Sequence, residues 1–383
     1  MDPAVENTSG LGFGLGIGGT GTVVDTLAWA AAGAKEADWG LLSSYAGLLA
    51  LAVLSIYAGA HGSLPRPKRA KGEKEGGGKD KDAEGEEEED EEDEENMDRM
   101  SADDAWLFPI IGSVALIGLY GLVTYLGEGW INWLLGWYFT VAGVGSVWNS
   151  SVSLTRWAVG EKRWKAFDLV KMSVKKGPNA VMEISLRTPS VVLLPLALVP
   201  SGLYAFWGTG GGARSVVLTD VLALSFAHNA LSLLRLDSFR TGCILLSGLF
   251  VYDVWWVFGT DVMVKVATTL DVPIKLLWPK GVGRGYTMLG LGDVVVPGTF
   301  VALGLRYDAT RGRGKRFFWA GLGGYVGGLV ATMVVMHVWG HAQPALLYLS
   351  PACMLSFVVT GSVVGELGAG WAWVDGAEAG GQP

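Results

Sequence analysis

Two aspartates stand inside apolar runs, where a charge is expensive. Asp253 lies in GLFVYDVWWVFGTD and Asp293 in MLGLGDVVVPG. Carrying an ionised carboxylate to the middle of a bilayer costs at least a few kcal/mol, so an acid at that depth points to function by default. Asp253 follows Arg240 by 13 residues, and Asp293 precedes Arg306 by 13. If both basic residues mark one membrane face, the two runs are antiparallel and the carboxyls sit level, roughly 20 Å below that face at helical rise. Like charges a few ångströms apart cannot both ionise, so a level pair shares one proton and can share one water. That is the chemistry of aspartyl peptide hydrolysis.

The elements that position such a pair must be membrane spans. Of 383 residues, 50% are hydrophobic and the mean hydropathy is +0.35, which excludes an ordinary soluble domain. Uncharged runs recur near the ~20 residues that cross a bilayer. They predict spans at Trp39 to Ala60, Ala105 to Gly127, Trp130 to Val152, Ser190 to Gly208, Ser215 to Leu236, Thr241 to Ala267, Met288 to Leu305, Phe318 to Gly340 and Gln343 to Gly365. The fold class is therefore all-α and polytopic, with about nine transmembrane helices. Trp106, Trp130, Trp207, Trp278 and Trp339 stand near span ends, where amphipathic rings prefer the interface.

Charge sets the orientation. Arg66 to Lys71, Arg156 to Arg187, Arg235 with Arg240, and Arg306 to Arg316 all fall on one side of alternating spans. The positive-inside rule puts that side in the cytosol, the N-terminus in the lumen and the C-terminus in the cytosol. Lys275, Lys280 and Arg284 dissent, since this topology leaves them in the lumen. Met1 to Ala37 is Gly-rich without a basic leader, so no cleavable signal peptide is expected. Asn7-Thr8-Ser9 is a glycosylation acceptor on the lumenal side. The formal charge of −8 is concentrated between Gly72 and Asp104, with a nearly unbroken acidic run from Glu86 to Glu95. Too little apolar surface is available there to offset ordering entropy, so that stretch is expected to be disordered, as a solvated loop rather than a docking tail for basic partners. The resulting division is a lumenal tail (1–38), a first span (39–60), an acidic cytosolic loop (61–104), a helical scaffold (105–236), a catalytic region (237–366) and a cytosolic tail (367–383). Cys243 and Cys353, both in apolar runs, imply packing rather than a disulfide framework.

Between the two acid-bearing runs lies Val272-Pro273-Ile274-Lys275-Leu276-Leu277-Trp278-Pro279. Prolines at both ends favour extended chain over helix. Two readings stand: a strand whose free edge pairs with an unwound substrate, or an interfacial loop anchored by Trp278. After Asp293, Pro297 frees a helical carbonyl, and Gly290 and Gly292 suit a backbone passing close to a substrate. The chain holds 57 glycines, and small residues also pack membrane helices.

Tyr252-Asp253, Gly290-Leu291-Gly292-Asp293 and Gln343-Pro344-Ala345-Leu346 resemble the YD, GxGD and PAL motifs of the intramembrane aspartyl proteases, the presenilin and signal peptide peptidase clan. TGCILLSGLFVYDVWWVFGTDVMVKVA, PIKLLWP and HAQPALLYLSPAC are similar to signal peptide peptidases in particular. The resemblance implies a presenilin-like fold, with Asp253 and Asp293 catalytic and Tyr252, Gly290, Leu291, Gly292, Gln343, Pro344, Ala345 and Leu346 shaping the site. It implies no cofactor and no metal, residence in the endoplasmic reticulum membrane, and substrates that are signal peptides and type II or tail-anchored membrane proteins. The partners it implies are those substrates and the lipid bilayer, with no nucleic acid; self-association and membrane-protein degradation machinery stay open. Because the family's PAL motif lies close to the acids, the last run is expected to begin unwound, dipping into the membrane where backbone lines a cavity.

Other polar residues are weaker candidates. Asp261 and Lys265 are i, i+4 neighbours and read as an interfacial ion pair. His337 and His341 share the spacing of a zinc pair, but no glutamate of a HExxH motif stands between them, so they read as structural. Asp220 and His228 in the fifth run fit polar packing or a water path. No serine sits in a GxSG elbow with a partner histidine, which argues against a serine protease. The rival reading is a transporter or ion pathway using the paired carboxylates; no inverted repeat supports it.

Overall fold

A computed structural model describes residues 39–64, 99–164, 167–176, 179–208, 216–270, 272–280, 285–312, 314–340 and 343–376. In chain order the elements are α1 (Trp39–Gly62), β1 (Arg99–Met100), α2 (Ala102–Leu126), α3 (Glu128–Val159), α4 (Glu161–Trp164), β2 (Leu169–Lys176), β3 (Asn179–Arg187), α5 (Thr188–Gly208), α6 (Val216–Leu233) and β4 (Arg235–Leu236). There follow α7 (Phe239–Phe258), α8 (Val262–Thr269), β5 (Lys275–Pro279), β6 (Tyr286–Gly290), α9 (Gly292–Arg311), α10 (Arg316–Trp339), α11 (Leu346–Val364) and α12 (Leu367–Ala372). Among the described residues nine helices reach 18 residues, and seven of these are long and apolar enough to cross a membrane. The other two are α3, whose hydropathy is lowered by its Trp, Tyr, Gly, Ser and Asn residues, and α9, whose apolar character is diluted by Asp293, Arg306, Asp308 and Arg311.

The core is built around α9. Every residue from Val296 to Asp308 is buried, because α6, α7, α10 and α11 all pack against it; a helix enclosed on all sides needs apolar residues all round. α10 lies closely along α11 at Gly324 and Gly328, where an added Cβ would meet the Ala352 carbonyl at 2.8 Å and Leu349 Cα at 3.0 Å. Local signals fix where the helices begin. Ser101 and Asp104 form a reciprocal capping box at the start of α2. Ser238 Oγ accepts the Thr241 N–H at 3.2 Å to start α7.

The chain departs from its apolar runs in several places. The run expected to be one span over Thr241 to Ala267 breaks at Gly259-Thr260-Asp261, residues of poor helix propensity, and resumes as the separate α8. The seventh span does not begin at Met288: Met288 to Gly290 are strand, and the helix starts at Gly292. The basic stretch after the third span holds an antiparallel hairpin, with register from Leu169↔Arg187 to Lys176↔Asn179. The acidic run lies outside the described residues, but the loop expected to be disordered to 104 is ordered by Arg99, where β1 pairs in parallel with β4. The expected tail is folded back through 376: α12 is followed by a bridge from Val374 to Ser238 and by the Asp375 N–H donating to the Asp237 carbonyl at 2.7 Å.

Arg306, counted from sequence as a loop charge, is 1% exposed. It bridges three segments: Nη1 donates to Ser63 Oγ and Nη2 to the Leu236 carbonyl, each at 3.2 Å, and Nε lies 2.7 Å from Asp375 Oδ2. Phe239 stacks on Phe357 at 4.2 Å and meets Phe300 and Tyr307 edge-on at 5.7 Å. The end of α9 is thereby tied to the start of α7, so the two helices run antiparallel.

Candidate active site

Asp253 sits in the second half of α7 and is 3% exposed. Asp293 is half-buried in the first turn of α9. Antiparallel packing of α7 against α9 brings the two aspartates near each other, within reach of each other's charge. A third element completes the group. Gln343 and Pro344 lie outside the helix, with Pro344 buried; α11 begins after Ala345, three residues later than the apolar run suggests. That lead-in aims the Leu346 N–H at Asp253 Oδ2, a hydrogen bond of 2.9 Å. The first N–H groups of a helix lack intrahelical acceptors, and here one of them fixes the orientation of the carboxyl.

The segment between the two helices is a hairpin. β5 pairs with β6 in the register Lys275↔Gly290 through Pro279↔Tyr286. Flanking bonds from the Leu291 N–H to the Ile274 carbonyl and from the Lys280 N–H to the Gly285 carbonyl, both 3.0 Å, set its phase. In antiparallel pairing, hydrogen-bonded and non-bonded pairs alternate, so Ile274, Leu276 and Trp278 bond across the hairpin. Lys275, Leu277 and Pro279 turn their backbone groups outward on one edge; Tyr286, Met288 and Gly290 do so on the other. Tyr286 and Met288 are exposed, whereas Thr287 and Leu289 are buried. The strand then runs into Asp293: Gly290 lies so close that an added Cβ would stand 3.3 Å from Asp293 Oδ2.

The remaining sequence candidates fall around this centre. Tyr252 is half-buried between α7 and α2, beside Gly112 and with its ring 6.3 Å from Trp256. The Leu291 carbonyl accepts the Val295 N–H at 2.8 Å, opening α9, and Gly292 is exposed. Pro273 is buried, Ile274 exposed, Leu276 fully buried, and Lys275 Nζ donates to the Leu270 carbonyl at 3.2 Å. Pro297 brings no N–H to the Asp293 carbonyl one turn back. Lys265 Nζ stands 5.2 Å over the Tyr120 ring, and His337 meets Tyr45 edge-on at 6.5 Å. Asn7 and His341 lie outside the described residues.

Sequence reasoning leaves the role of Asp220 open and misses the other groups that hold the hairpin. Asp220 Oδ1 on α6 accepts the Leu277 N–H at 2.8 Å. The hydroxyls of Ser44 on α1 and Thr287 on β6 are hydrogen-bonded at 2.7 Å. Gly47 on α1 receives the face of the Trp278 indole. The only advance signal was a carboxylate, Asp220, in an otherwise apolar run.

Helices able to cross a membrane, with two carboxyls set among them, Asp253 buried and Asp293 half-buried, and a strand edge leading to them, define a multi-pass membrane protein built for chemistry within the bilayer. The family model described as signal peptide peptidase matches residues 91–376. Human signal peptide peptidase is 34% identical over 338 residues, covering 86% of this chain and 82% of the human protein. The mouse protein of that name is 33% identical over the same shares. Intramembrane protease 2 of Caenorhabditis elegans is 40% identical over 178 residues, 41% of this chain and 38% of that protein. The chain belongs to the signal peptide peptidase family, and that membership makes it an intramembrane protease.

Proposed function

We propose that the protein is an aspartyl endopeptidase that hydrolyses peptide bonds within transmembrane helices, with Asp253 and Asp293 as the catalytic dyad. The observation that carries this reading is the meeting of three elements: Asp253 on α7, Asp293 on α9, and the Leu346 amide of the Pro344-Ala345-Leu346 lead-in on Asp253. Two carboxyls in mutual electrostatic reach hold one proton between them. The ionised member takes a proton from water, which attacks the scissile carbonyl carbon. The protonated member hydrogen-bonds to the carbonyl oxygen as charge develops there. Collapse of the tetrahedral adduct passes that proton to the leaving amine. The dyad carries both roles without a metal.

A peptide bond in a bilayer is shielded by its own helix, so the substrate must unwind before it is cut, and its freed backbone groups need partners. The outward groups of Tyr286, Met288 and Gly290 supply them by strand addition. The sequence suggests Pro273 to Leu277 as the pairing strand, but Asp220 occupies the outer edge there, so the reading moves to β6. The substrates are signal peptides and type II or tail-anchored membrane proteins. The protein resides in the endoplasmic reticulum membrane, as the resemblance of its motifs implies, with its N-terminus lumenal and its C-terminus cytosolic, as the basic clusters indicate.

The test is cleavage of a synthetic signal-peptide helix by the purified protein in detergent. Asp253→Asn and Asp293→Asn should each lower the rate roughly a thousandfold or more, as for removal of one member of a catalytic unit. Equal cleavage by wild type and both variants refutes the dyad.

A further inference from the structure

Asp220 is a carboxylate within the apolar α6, and its hydrogen bond goes to a backbone amide 57 residues away, at the Leu277 N–H. That amide is not an arbitrary one. Leu277 occupies the middle of the three outward positions on β5; of the other two, Pro279 has no N–H to offer. A strand edge with unused N–H groups is a template for another strand, and β5 would otherwise compete with β6 for an unwound peptide. The two edges differ in consequence. The β6 edge continues through Gly290 directly to Asp293, whereas β5 enters from α8 at Lys275, opposite Gly290, and runs from there away from Asp293. Side-chain contacts seat one face of the hairpin on α1 at the paired Trp278 and Thr287, through Ser44 with Thr287 and Gly47 with Trp278. The hairpin is therefore fixed on two sides and open along β6.

We infer that Asp220 is a positioning residue: by holding the outward N–H of Leu277 it closes the β5 edge, so that an unwound substrate pairs with β6 alone and meets the carboxyl pair in one register. The inference rests on the aspartyl endopeptidase reading above. Strand pairing slips in steps of two residues when side chains keep their faces, so a loosened hairpin yields a ladder of products rather than one.

The experiment digests one synthetic transmembrane peptide with full-length protein in detergent, reading products by mass spectrometry alongside kcat and KM. Asp220→Asn keeps an acceptor oxygen and should retain the wild-type cleavage site. Asp220→Ala should lower kcat/KM about tenfold, the factor for one lost buried hydrogen bond, mainly through KM, and add products displaced by two residues. Leu277→Pro removes the donor at an edge position that tolerates proline. It should reproduce that product pattern, and Asp220→Ala combined with Leu277→Pro should add nothing further. A single unshifted cleavage site in both Asp220→Ala and Leu277→Pro overturns the inference while leaving the dyad standing. Loss of specificity in Asp220→Asn equal to that in Asp220→Ala also overturns it. Cleavage that survives both Asp253→Asn and Asp293→Asn overturns the dyad and this inference together.

Discussion

Removing the carboxylate of Asp375 should destabilise the whole bundle although it lies 11 residues beyond the end of α11 at Val364. Arg306 is 1% exposed and Asp375 is 12% exposed. The contact between them is ionic: Nε and Oδ2 are 2.7 Å apart without the alignment of a hydrogen bond. Arg99 and Arg235 act on the same guanidinium with the same sign of charge, so Asp375 offsets more than one cation. Deleting one partner of a buried pair costs ~3–5 kcal/mol. Arg306 keeps its bonds to Ser63 and Leu236, and Asp375 is partly solvated, which places Asp375→Ala near the lower figure, about 3 kcal/mol. At roughly 2 °C per kcal/mol for a large chain, the apparent Tm in detergent should fall about 6 °C at a fixed scan rate. An apolar replacement of both partners removes the uncompensated charge, so Arg306→Met with Asp375→Ala should recover most of the loss. An unchanged Tm in Asp375→Ala, or a double variant as unstable as the single one, refutes the reasoning.

Two further outcomes follow from packing and capping. Gly47→Ala places a methyl group against the Trp278 ring; overpacking of this kind costs ~1–3 kcal/mol, and because the ring belongs to the hairpin, peptide cleavage should weaken and be restored by adding Trp278→Leu. Ser238→Ala removes the cap of α7 and should cost about 1 kcal/mol, read as a Tm decrease with the cleavage site unchanged.

Some of this architecture is legible in residue order because it depends on one element at a time. Apolar runs mark the spans, since each helix must satisfy its own backbone in lipid. The equal spacing from Arg240 to Asp253 and from Asp293 to Arg306 predicts that two antiparallel helices carry their acids near one another. Prolines flanking Ile274 to Trp278 encode extended chain. Even the unwound lead-in at Pro344 is expected once its motif is set beside the two acids.

What the sequence by itself determined is therefore the membrane class, the approximate spans and the two carboxylates that no packing argument explains. Only the tertiary structure decided what those carboxylates touch. The Leu346 amide reaches Asp253 across 93 residues, Asp220 reaches Leu277 across 57, and Ser44 reaches Thr287 across 243. The same holds for Arg306, which reads as a loop charge until the folded-back tail supplies Asp375, and for β6, which reads as the start of a helix until β5 pairs with it. The physical reason is common to all of them. Periodicity reports which face of an element is apolar, whereas a hydrogen bond or ion pair between distant segments forms only where packing has already removed the water that would otherwise satisfy both groups.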